Sequence, residues 1–178
     1  MKATLGGSFS QLFLYCTGAR ESLSYPDPTQ DPATPLPMTR QYNLQRFIDA
    51  QESSYSQALH EIENGRKRTH WMWFIFPQIQ GLGYSETSRY FGIENREEAS
   101  LYLAHNVLGN RLIEITNALL GVEGKTASQI FGSPDDAKLK SCMTLFSSLE
   151  PTNDVFQLVL DTYFDGKKDA KTLRLINE

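Results

Sequence analysis

One stretch constrains the fold more than any other: His70-Trp71-Met72-Trp73-Phe74-Ile75-Phe76-Pro77-Gln78, which holds both tryptophans of the chain and follows directly on Arg66-Lys67-Arg68. Read as a helix, it places His70, Trp73, Phe74 and Pro77 on one face, Trp71, Ile75 and Gln78 on a second, and Met72 with Phe76 on a third. A helix that is apolar on every side is a buried one. Read as a strand, both faces are still apolar, so burial follows either way. Thr69 is placed to cap such a helix and Pro77 to stop it. The expectation is a short buried helix with the rest of the molecule built to cover it. Truncating either tryptophan should cost about 3–5 kcal/mol, a large part of a typical domain's stability.

The rest of the composition fits one covered core. The chain has 178 residues, 40% of them hydrophobic and 21% charged, enough for a single soluble domain. A formal net charge of -4 argues against a general nucleic-acid binder or a basic membrane-surface protein, while leaving room for a local basic site. No apolar run approaches the roughly 20 residues that a membrane-spanning helix needs. Cys16 and Cys142 make neither a disulfide framework nor a metal-ligand spacing, which fits a reducing, cytoplasmic setting.

Residues 1–41 read as an extension. Pro26, Pro28, Pro32, Pro35 and Pro37 among Ser, Asp and Thr have the composition of a disordered linker. Residues 1–20 carry Lys2 and Arg20 with no acid, so an organellar transit peptide is the lesser alternative. Met38 is a candidate alternative start.

From Asn43 the periodicity is helical. Leu44, Phe47, Ile48, Gln51, Tyr55, Ala58, Leu59 and Ile62 follow three-and-four spacing, with Asn43 as the expected N-cap and Gly65 as the residue just past the C-terminus. Ser85 opens a short helix and Asn95 another, the latter with Glu97 and Glu98 in its first turn. Residues 107–120 form a longer helix with Leu108, Leu112, Ile115 and Leu119 on one face, and Thr126 to Phe131 a further turn or two. Gly132-Ser133-Pro134-Asp135-Asp136 is the sharpest local start signal: Ser133 as N-cap, Pro134 at N1 and two acids in the first turn. The final helices cover residues 154–164 and the region of Leu173 and Ile176. With no alternating segment and no repeat, residues 42–178 read as an all-α, single-domain bundle of about seven to eight helices around a buried aromatic segment.

Several of these segments together resemble the domain-of-unknown-function 1810 family. They are Tyr42-Asn43-Leu44-Gln45-Arg46-Phe47, the run from Gly65 through His70-Trp71-Met72-Trp73-Phe74-Ile75-Phe76-Pro77-Gln78, Tyr102-Leu103-Ala104-His105 with Leu108-Gly109-Asn110-Arg111-Leu112, and Phe131-Gly132-Ser133-Pro134-Asp135-Asp136 with Met143-Thr144-Leu145-Phe146. The resemblance covers about residues 42–176 and implies an all-helical fold with no established activity. Members often carry a calpastatin label. That inhibitor is disordered and poor in hydrophobic residues, whereas this chain has a tryptophan-rich core and capped helices, so calpain inhibition is rejected on physical grounds.

The candidate chemistry lies beside the aromatic block. Arg66, Lys67 and Arg68, with backbone N–H groups at the start of the aromatic helix, could hold a phosphate or carboxylate. Trp71 or Trp73 could stack a flat ring, with Gln78 as a polar contact, and His70 could act as acid or base near neutral pH. The bland alternative makes His70 a packed structural histidine and Lys67 a solvated charge at a helix end. Asp135 and Asp136 complement a helix start; as functional groups, Asp136 would orient or accept a proton, and the two point about 100° apart on a helix, so they do not share one ion. Arg111 either pairs with Glu61 or Asp136 or clamps an anion. Gln51, Tyr55 and Glu61 either line a pocket or brace the tryptophans. No metal-ligand spacing is present, and the cofactor is unknown.

The expected function is binding of a small anionic, nucleotide-like ligand at the junction of residues 67–78 with the 133–136 helix start. Any hydrolase- or transferase-type chemistry would fall to His70 and Asp136, and binding to Arg66, Lys67, Trp71, Trp73, Gln78 and Arg111. Two alternatives stand beside it: a non-catalytic protein-interaction module with an exposed aromatic patch, and single-stranded nucleic-acid binding, which the net charge disfavours. Reaction, substrate and oligomeric state are not legible in the sequence.

Overall fold

The structure, a computed structural model, describes residues 41–177. The Pro-rich extension up to residue 40, with Cys16 and Met38, lies outside the described residues. Among the described residues the chain forms ten helices and no sheet. They are α1 (Gln45–Glu52), α2 (Tyr55–Glu63), α3 (Met72–Ile75), α4 (Glu86–Tyr90), α5 (Arg96–Ala104), α6 (Leu108–Leu120), α7 (Ala127–Phe131), α8 (Asp135–Phe146), α9 (Val155–Phe164) and α10 (Ala170–Asn177). The all-α architecture is as expected. The short helices α3, α4 and α7 stand as expected, and the number of helices is higher because the first periodic run is split in two.

That split falls at Ser53–Ser54, residues whose hydroxyls compete with the helix for backbone partners. Side chains on either side of it are pinned to different places. Gln51 donates to the Phe74 carbonyl at 2.7 Å and to the Tyr102 hydroxyl at 3.0 Å. The single Tyr55 O–H points to Glu114 at 2.6 Å, with the Arg111 carbonyl 2.9 Å from the same oxygen. Three expected caps also move. Leu44, not Asn43, occupies the α1 N-cap, and the Asn43 carbonyl is taken by Arg46. Thr69 gives its hydroxyl to Glu61 rather than to α3. Pro134, not Ser133, precedes α8, after a cis Ser133–Pro134 peptide, with Asp135 and Asp136 in the first turn as expected. Of the three, only Thr69 is drawn away by a tertiary partner, the Glu61 carboxylate.

Elsewhere the local signals hold. Ser85 and Asn95 cap α4 and α5, and Thr126 with Gln129 forms a capping box on α7. Gly65 ends α2 at φ 63°, with its N–H on the Ile62 carbonyl and the Arg66 N–H on the Glu61 carbonyl, the two bonds of a Schellman motif.

The core is built on α8, which packs against α5, α7, α9 and α10, while α6 packs against α2, α5 and α9. Leu139, Cys142, Met143, Leu145 and Phe146 of α8 are all buried, alongside Leu108, Leu112, Ile115 and Leu119 of α6. A Cβ at Gly109 would stand 1.9 Å from the Leu103 carbonyl oxygen, so only glycine lets α6 turn back this tightly on α5. Cys142 is a free, buried thiol that burial pushes well above its ordinary pKa, leaving it neutral packing material. After Pro77 the chain runs extended and makes one isolated parallel bridge, Ile79 with Ile93, through the Gln78 and Ile93 carbonyls.

Among the described residues, no helix is long and apolar enough to cross a membrane.

Candidate functional site

The aromatic block divides within itself. Trp71 is 1% exposed and Met72, Ile75 and Phe76 are buried with it, whereas Trp73 and Phe74 are half-buried and His70 is exposed. The expectation of burial on every side therefore fails for one face. The one-turn α3 turns Trp73 and Phe74 outward while its neighbours pack on Phe131 and the core.

The sealed half is organised by Glu61, 6% exposed. Its carboxylate accepts from the Arg68 N–H at 2.7 Å, the Thr69 N–H at 3.1 Å, the Thr69 hydroxyl at 2.7 Å and the Trp71 indole N–H at 2.9 Å. Burial alone would raise the Glu61 pKa, but these donors stabilise the anion more strongly and draw it down to about 2. Glu61 thus braces Trp71 and fixes the loop before α3. Gln51 and Tyr55 have the same bracing character. Arg111 pairs with neither Glu61 nor Asp136; its guanidinium lies 4.9 Å from the Tyr55 ring centroid and donates weakly to Gln51 at 3.4 Å.

Lys67 is not a solvated helix-end charge. Its ammonium, on a side chain 8% exposed, binds Asp135 at 2.8 Å and the Thr69 carbonyl at 2.8 Å, and lies 5.1 Å from the Trp71 ring centroid. Asp135 also receives Lys138 at 2.6 Å. Burial would raise the Asp135 pKa, but the two lysines hold it below the usual carboxylate range. The adjacent Asp136 instead closes on its own helix, accepting from the Ala137 N–H at 2.8 Å.

Lys138 leads to the open half. Its ammonium sits 4.4 Å from the Trp73 ring centroid, a cation–π contact at the wall of a cleft of about 470 Å³. Trp73 and Gln78 form one wall, Pro134, Ala137, Lys138 and Ser141 of α8 and its start a second, and the glycine-bearing 82–88 segment with Asp169 and Lys171 closes the rest. The cleft lies where expected, between the aromatic block and the α8 start. Of the residues singled out from sequence, Trp73 and Gln78 line it; Lys67 reaches it only through Asp135 and Lys138, Trp71 is sealed behind it, and Arg66, His70, Arg111 and Asp136 are not among its lining. Sequence reasoning missed Lys138 and Lys171. The spacing Asp135–Lys138 was a visible i,i+3 pair that could have pointed to the first; nothing local announced the second.

Lys171 is held at the cleft by hydroxyls. Asp169 accepts from the Thr172 N–H and hydroxyl at 2.7 Å each, capping α10. Because the Thr172 proton goes to Asp169, Ser141 must donate to Thr172 across their 2.7 Å contact. Thr144 completes the ladder by accepting from the Asp169 N–H at 2.8 Å. Among the described residues, the Gln78 amide, the Trp73 indole N–H and the Lys171 ammonium have no partner within the protein. No group of three or more His, Cys, Asp or Glu among the described residues is placed to hold a metal ion.

Comparison with known proteins agrees with this architecture. A family model described as "Protein of unknown function (DUF1810)" matches residues 41–176. Among solved structures, the crystal structure of the conserved hypothetical protein Rv1873 from Mycobacterium tuberculosis is similar at 44% identity, covering 75% of this chain and 96% of that one, with a TM-score of 0.74. No curated protein matches the chain.

Proposed function

The chain belongs to the DUF1810 family of proteins of unknown function, and within that frame we propose that the Trp73 cleft binds a small anionic ligand carrying a flat ring. The observation that carries this reading is the half-exposed Trp73 ring with the Lys138 ammonium against it at the mouth of the cleft. Trp73 gives a stacking surface, and the unpartnered Gln78 amide and Trp73 N–H give directional contacts. Lys138 and Lys171 supply positive charge. The volume falls within the usual range for ligand pockets, about 300–1,000 Å³. Lys67 supports binding from behind by sharing Asp135 with Lys138. His70 and Asp136 stand outside the lining, so the reading is one of binding, with no reaction assigned to either.

The test is intrinsic fluorescence and thermal shift on the full chain against nucleotides, sugar phosphates and aromatic carboxylates. Binding should quench emission, and the quench should vanish in Trp73→Phe but persist in His70→Ala. Absence of any quench or shift across the panel at millimolar ligand would overturn the reading. The interaction-module and single-strand alternatives draw less support, because both need an exposed aromatic patch and Trp71, Met72, Ile75 and Phe76 are sealed.

A further inference from the structure

The cleft continues into a smaller hollow of about 220 Å³, lined by Gly81, Leu82, Lys171, Arg174 and Leu175, and the two spaces share Leu82 and Lys171. Lys171 and Arg174 are three residues apart on α10 and so lie on one helix face. Neither side chain has a partner among the described residues. The nearby carboxylate, Asp169, is occupied by Thr172. Two like charges at this spacing repel each other unless an anion lies between them. Next to the stacking ring, then, is a small, doubly cationic hollow whose charges no described residue answers.

We infer that the ligand is a nucleoside monophosphate, its base against Trp73 with one edge on the Gln78 amide and its phosphate in the hollow between Lys171 and Arg174. This rests on the binding role proposed for the cleft. A phosphate monoester carries about -1.5 to -2 at pH 7, which the two free cations match. A triphosphate would bring further negative charge to a site with no third free cation among its lining. Arg174 presents a planar fork suited to two phosphate oxygens, and Lys171 a point charge. The Gln78 amide offers a donor beside an acceptor, which complements a purine edge presenting the same pair, as adenine does with N6 and N7. Trp73 and Gln78 also line the narrow notch behind the cleft, so ring and amide address the same end of the ligand.

The experiment is calorimetric titration of the full chain with adenosine monophosphate, adenosine, ribose 5-phosphate, adenosine triphosphate, inorganic phosphate and an aromatic carboxylate. The monophosphate should bind tightest. Lys171→Ala with Arg174→Ala should weaken it about tenfold or more and leave adenosine unchanged. Both side chains are exposed and unpaired, so the double variant should melt like the parent. Gln78→Leu should erode the preference for adenine over pyrimidine monophosphates, and its own melt shows whether it folds. If the aromatic carboxylate binds at Trp73 while the monophosphate does not, the nucleotide assignment fails and the binding role survives. Equal binding of monophosphate by parent and double variant overturns the phosphate seat. If no compound binds, both fail.

Discussion

Trp71 and Trp73 are two residues apart and meet opposite fates. Trp71 is enclosed, with its N–H on a carboxylate that five protein donors hold ionised. Trp73 stands at an opening, with a lysine against its ring and no partner for its N–H among the described residues. The difference is a matter of direction. Successive helical residues point about 100° apart, so a single turn of helix is enough to send one indole inward and the other out. Identical side chains in one uninterrupted apolar run can thus serve stability and recognition separately, and a run that is apolar throughout does not imply that it is buried throughout.

The contrast can be broken most forcefully at Trp71. Trp71→Ala should lose about 3–5 kcal/mol in denaturant unfolding, whereas Trp73→Ala should lose less than half of that because its ring is already partly wet.

Acid should come next. The Glu61 pKa is lowered in the folded protein from 4.5 to about 2, so its contribution is full above the unfolded value and disappears as pH falls through the folded one. Stability should therefore drop between about pH 4.5 and 2 by an amount on the order of 3 kcal/mol. Glu61→Gln should start less stable and show a flatter acid limb. An unchanged acid limb would remove Glu61 from its bracing role.

A smaller effect, about 1–2 kcal/mol, is expected for Lys67→Met, which leaves Asp135 with Lys138 alone. Because Asp135 is also depressed by its lysines, the variant should move its titration upward, observable by carboxyl NMR shifts.

The smallest change in stability, within about 1 kcal/mol, should come from Trp73→Phe, yet it should remove the acrylamide-accessible part of the emission. Quenching that survives there would mean that Trp71 is the reachable indole.

Much of this was legible beforehand. Helix class, the Gly65 stop, the Ser85, Asn95 and Thr126 starts and the apolar faces of α6 and α8 follow from local chemistry that needs no tertiary partner. Of the cleft's lining, Trp73 and Gln78 were named beforehand, since they belong to the aromatic block and its polar end. The break at Ser53–Ser54 was not, since it depends on where Gln51 and Tyr55 find partners far along the chain. Nor was the choice between Asp135 and Asp136: both satisfy a helix start, and only the approach of Lys67 distinguishes them. Lys171 was hidden for the same reason, its position being set by Ser141 and Thr172, which sit on different helices. Residues whose roles arise from neighbours far along the chain, 23 positions away for Gln51 and Phe74 or 31 for Ser141 and Thr172, leave no periodic trace.

The hydroxyl ladder has a consequence for the order in which the molecule loosens. On α10 only Thr172 is fully buried, and Leu175 and Ile176 pack half-buried against the core, so exchangeable polar bonds carry a large share of its fastening. Such an element should release its amide protons well before α6 or α8. The cationic rim then rides on an early-opening part of the bundle, and a guest bridging Trp73 and Lys171 would staple that part down.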